Sequence, residues 1–164
     1  MNQEESSLRG TQKWMIGHGL LILLIGLLAG VGLLVSLIGG LEVFPGRLVM
    51  LELPGNSSGW VRFHIGQLLN AFLIILVALS LPVLAIDSRK AGRLGGWVIG
   101  IGWANTLFYA AALLAPNRAL TFADNRLGVA NLASVIGLAP ALVFAVVSIV
   151  VVGVLVRHAF YRPM

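Results

Sequence analysis

The stretch Trp14–Ile38, WMIGHGLLILLIGLLAGVGLLVSLI, contains no Lys, Arg, Asp or Glu. About 20 helical residues are enough to cross the hydrocarbon of a bilayer. A helix on the surface of a water-soluble domain shows polar side chains at each turn of its outer face, whereas Gly, Leu, Ile and Val surround this one on all sides. The run is also longer than the roughly 7–15 apolar residues of a secretory signal, and no small-x-small cleavage pattern follows it. It reads as a membrane-spanning helix.

Working outward, three more uncharged stretches of spanning length follow: Phe63–Ile86, Leu94–Ala115 and about Ala130–Val156. Composition agrees, because 59% hydrophobic residues against 10% charged and a mean hydropathy of +0.98 are too apolar for a soluble domain of this length. The expectation is an all-α, four-transmembrane-helix bundle. It forms a single unit over residues 1–164, with helices at about 14–38, 63–86, 94–115 and 130–156. The absence of cysteine excludes disulfides, thiolate metal sites, iron–sulfur clusters and cysteine nucleophiles. A net charge of +5 raises nucleic acid as a partner, but no basic face or basic–aromatic patch supports that reading.

Lys and Arg near span ends set orientation. Arg9, Lys13, Arg89, Lys90, Arg93, Arg157 and Arg162 lie on one side, and Arg47, Arg62, Arg118 and Arg126 on the other. The bias places both termini in the cytoplasm. The first outer loop, residues 39–60, is rich in turn signals around Arg47–Leu53, a segment suited to a short strand or an interfacial stretch. The third loop, Pro116 to Gly128, is polar. Gly26-x-x-x-Gly30 and Gly96-x-x-x-Gly100 read as close helix contacts, and Pro82 and Pro140 as bends in the second and fourth helices.

Polar side chains within spans are costly and mark candidate functional sites, although they also hold helices together. His64, Gln67 and Asn70 step by three along the second helix, while Asn105 and Tyr109, four apart, share a face of the third. With the helices antiparallel, both sets fall at similar depth in the outer half, beneath the two longer loops. His18 lies near the cytoplasmic end of the first helix, roughly 30 Å of rise from the outer end, too far to share one metal or heme with His64. A heme held by His64 alone would keep an open sixth position, suited to ligand activation more than to electron transfer. Zinc-binding His spacing, phosphate-binding glycine loops and carboxylate pairs within the spans are all missing.

The ordered series Gly17-His18-Gly19, Gly39-Gly-x-Glu42-x-x-Pro45-Gly46, Arg62-x-His64-x-Gly66-x-x-x-Asn70, Trp103-Ala-Asn105-x-x-Phe-Tyr109 and Pro116-Asn-Arg-x-Leu-Thr-Phe122 resembles the styrene oxide isomerase family over about Gly17–Pro140. The resemblance implies a bacterial inner-membrane enzyme that rearranges an aryl epoxide, styrene oxide, to the aldehyde phenylacetaldehyde. It further implies ferric heme b as Lewis acid, held between subunits of a homotrimer. His64 falls on the axial ligand, Asn70 and Tyr109 on active-site positions, and Asn105 on the same wall. Ile101 replaces an aspartate expected two residues before the tryptophan. A heme sensor or electron carrier without epoxide turnover is the alternative.

Overall fold

The computed structural model describes residues 3–161. Four helices, α1 (Gln3–Ile38), α2 (Ser57–Ser80), α3 (Ser88–Leu114) and α4 (Leu132–Tyr161), are joined by one hairpin and two further loops. Each is long and apolar enough to cross a membrane, which is the expected bundle.

The helix ends do not coincide with those of the uncharged stretches, because backbone geometry ends a helix at caps and prolines and not where charge begins. The 36 residues of α1 rise about 54 Å, well beyond the roughly 30 Å hydrocarbon thickness. Its first turns carry the exposed Glu5–Arg9 pair, i to i+4 at 3.3 Å. Asn56 caps α2, its side chain accepting from Gly59 N at 2.9 Å and so satisfying one of the free N–H groups of the first turn. The helix therefore begins before Phe63, and His64 lies about 10 Å of rise inside it. Pro82 does not bend α2. It follows the Leu81 cap, where a missing N–H and a ring clash stop a helix. Pro140 does lie inside α4. Asp87 caps α3 by accepting from Lys90 N. Of the cations counted for the orientation, Arg162 lies outside the described residues.

The loop between α1 and α2 forms paired strands, β1 (Gly40–Phe44) and β2 (Arg47–Met50), antiparallel from Gly40 opposite Met50 to Phe44 opposite Arg47. Gly46 takes a left-handed φ of 77° in the turn, and its N–H donates to Glu42. The hairpin presents apolar groups outward, with Phe44 69% and Met50 74% exposed.

The core joins α1, α2 and α3 through Met15, Ile22, Ala71, Ile74 and Val98. α1 packs most closely on α2, and α3 touches the other three helices, while α4 packs on α3 alone. Most of α4 is consequently left to face lipid or other chains.

Candidate active site

The innermost polar contact bridges α2 and α3. Asn105 Nδ2 donates to Asn70 Oδ1 at 3.0 Å, joining two residues that the sequence placed at equal depth. Asn70 is only 7% exposed, and its own Nδ2 has no hydrogen-bond partner among the described residues. Beside it, Oγ1 of Thr106, the residue after Asn105, lies 2.9 Å from Gln67 Oε1 and 2.8 Å from the Gly102 carbonyl. Gln67 is fully buried, and its Nε2 is likewise unpartnered. An amide donor left unpaired in an apolar interior costs about 1–3 kcal/mol. Two of them, three residues apart on one helix, mark a place where an acceptor is expected.

Tyr109, one turn further out on α3, lays its ring over Gly66 of α2, where any Cβ would overlap it. Its hydroxyl has no hydrogen bond among the described residues and stands within electrostatic reach of Arg62. A cavity of about 200 Å³ between the start of α2 and the end of α3 is lined by Arg62, Arg118 and Asn56.

His64 occupies a different face. Its Nδ1 lies 2.8 Å from the Gly26 carbonyl of α1. A carbonyl only accepts, so Nδ1 carries the proton and Nε2 keeps its lone pair, the form of a histidine that ligates a metal. Gly30 makes this possible. In a helix the carbonyl of residue 26 lies beneath the side chain of residue 30, and a Cβ there would stand 3.0 Å from the His64 ring. The Gly26/Gly30 pair is thus a helix contact, as expected, and a cradle for the imidazole as well. His18 is arranged oppositely. Trp103 Nε1, a donor only, points at His18 Nδ1 from 3.1 Å, so the neutral ring carries its proton on Nε2, and Trp14 closes over it edge-on. Of the two intramembrane histidines, His64 is the one whose hydrogen bonding suits an iron ligand.

The third loop is tied by Asn117, fully buried. Its Nδ2 donates to the carbonyls of Thr121 and Ala123, and its Oδ1 accepts from Ala119 N and Ser134 Oγ. These bonds hold Arg118 and Ala119 at left-handed φ values of 60° and 53°, a conformation costing roughly 1–2 kcal/mol per residue.

The family model for styrene oxide isomerase matches residues 11–160. A styrene-oxide isomerase from Pseudomonas fluorescens is 41% identical over 141 residues, covering 86% of this chain and 83% of that protein. The chain belongs to the styrene oxide isomerase family.

All four residues expected at a styrene oxide isomerase site lie within the matched span, but the fold unites only some of them by contact. Asn70 and Asn105 are bonded, Tyr109 is one turn away on the same wall, and His64 is displaced about 120° around α2 from Asn70, toward α1. Gln67 was a candidate on the stripe of the second helix but received no role, and Thr106 was not a candidate. The three-residue step of Gln67 to Asn70 was a visible signal, whereas Thr106 had none beyond adjacency to Asn105. Ile101 is buried at 4% exposure, so an alkyl chain fills its position without leaving an unpaired polar group.

Proposed function

We propose that this protein is a membrane-embedded isomerase converting an aryl epoxide such as styrene oxide to the corresponding aldehyde, phenylacetaldehyde, with no net oxidation or reduction. The observation that carries this reading is the pair of buried, unpartnered amide donors on Gln67 and Asn70 beside Tyr109. An epoxide is an apolar molecule with one acceptor oxygen, and it can reach such a site through the lipid.

The residues present fit the heme b that the family resemblance implies, since His64 offers an Nε2 lone pair oriented by Gly26 and cradled by Gly30. When bound there, ferric heme b supplies a Lewis acid that weakens the benzylic C–O bond. The chain's own groups do the rest. Asn105 holds the Asn70 amide oxygen, which turns the Asn70 N–H toward the substrate oxygen, and the Tyr109 hydroxyl is a second donor to that atom. As the benzylic C–O bond breaks, positive charge grows on that carbon. A hydride then shifts to it from the terminal carbon, while an oxygen electron pair closes the C=O bond. All atoms of the epoxide are retained. Water would capture the cation as a diol, so the apolar surround of Ile22, Ile74 and Ile101 protects the aldehyde route.

The 120° separation of His64 from Asn70 supports a site completed between subunits, in the homotrimer implied by the resemblance. The distribution of Lys and Arg supports a bacterial inner-membrane placement with both termini cytoplasmic. A reporter fused after residue 164 that is active only in the periplasm would reverse that orientation. The function itself is tested by giving heme-loaded protein a panel of aryl and alkyl epoxides and following aldehyde by gas chromatography. Aldehyde from an aryl epoxide is expected. Conversion of none would leave a heme sensor or electron carrier.

A further inference from the structure

At the end of the bundle that carries both termini, α3 and α4 diverge into a groove of about 480 Å³, walled by Leu94, Trp97 and a row of valines of α4. It merges through Lys90, Val154 and His158 with a second, more polar recess that adds Arg157. From His158 to Val146 the α4 wall rises about 18 Å, close to one leaflet of a bilayer whose hydrocarbon is roughly 30 Å thick. The groove is therefore apolar for the depth of one acyl chain and basic at its mouth. Three features at that mouth need a partner. Arg93 and Arg157 form no ion pair among the described residues. His158 Nδ1 is buried without a hydrogen bond among them. Lys90, already 3.1 Å from Asp87, adds a shared charge. Trp97, 52% exposed, stands where an acyl chain would lie.

We propose that this groove binds one anionic phospholipid of the adjacent leaflet, its phosphate meeting Arg93, Arg157 and His158 and one acyl chain running past Trp97 along α4. Basic pockets between transmembrane helices recognise lipid headgroups in this way. A soluble phosphate compound would leave the apolar length unfilled. A second copy of the chain seated here would bring its own basic end against this one, since subunits of a membrane oligomer share orientation. The groove shares no lining residue with the Asn70–Asn105–Tyr109 wall, and its basic mouth lies at the other end of α3 from Tyr109, so it stands or falls independently of the proposed activity.

The test uses the full-length protein in nanodiscs, with Trp fluorescence quenched by phosphatidylglycerol or phosphatidylcholine carrying brominated acyl chains. The phosphatidylglycerol should quench more at equal mole fraction, and Trp97→Phe should remove that excess. Arg93→Gln and Arg157→Gln should each weaken the preference about fivefold, the effect of one cation near a lipid surface. Arg9→Gln, at the same end of the bundle but on α1 and paired with Glu5, should leave it unchanged. Equal quenching by both lipids would overturn the proposal, as would an equal loss from Arg9→Gln. Abolition by inorganic phosphate alone, or quenching by neither lipid because a second chain covers the groove, would overturn it as well. Thermal melts of each variant separate loss of lipid from loss of fold.

Discussion

At Gly30 the lack of a side chain leaves the Gly26 carbonyl open, and that carbonyl sets which nitrogen of His64 holds the proton. This makes heme binding testable residue by residue. His64→Ala should lose the Soret band of the purified protein, while His18→Ala, whose ring is held by Trp103 in the opposite tautomer, should keep it. Loss of heme from His18→Ala would contradict the assignment. Gly30→Ala keeps the ligand but disturbs its orienting bond, and such changes typically weaken metal affinity about 10–100-fold, measurable by heme titration. Tyr109→Phe removes one donor to the developing charge. In a dry site this costs about 10²–10³ in rate, and heme content should be unaltered. A loss of only a few fold would mean that the hydroxyl merely positions the substrate. The sequence made the residues of this site visible but not their faces. Similar depth was legible for Asn70 and Asn105, whereas their hydrogen bond depends on which faces α2 and α3 turn toward each other. Which side of α2 His64 serves depended on where α1 packs, and the reach of a carbonyl under a missing side chain is a tertiary fact.

Among the elements, the helices were legible because charge is expensive in lipid, and their ends were less so. Asn56 and Pro82 bound α2 as Ser57–Ser80, earlier in the chain than its uncharged stretch, which puts His64 well inside the helix. The hairpin was ambiguous because its exposed, mixed faces carry no periodicity that distinguishes a strand from an interfacial segment. The third loop promised polarity, and its order comes from one residue. Asn117 holds four partners and supports two left-handed residues, so Asn117→Ala would leave the buried Ala119 N–H unpaired at about 1–3 kcal/mol and release the loop's other ties to this side chain. The melting temperature should fall by several degrees, and protease cutting between residues 116 and 128 should rise. An unchanged melt would show that the loop is held elsewhere.

The whole molecule is a bundle with unequal ends. One end carries the hairpin, the knotted loop and, beneath them, unpaired amide donors in an apolar interior, while the other carries the basic groove of α3 and α4. The proposed function belongs to the first of these, where a site that binds one oxygen and excludes water can move a hydride within its substrate and exchange nothing with solvent. The most direct test is the fate of styrene oxide carrying two deuterium atoms on its terminal carbon, turned over by heme-loaded protein and analysed by mass spectrometry. The account predicts phenylacetaldehyde retaining both deuterium atoms, one on the aldehyde carbon and one on its neighbour. Diol as the main product, or aldehyde formed at once with a deuterium replaced by solvent hydrogen, would contradict it.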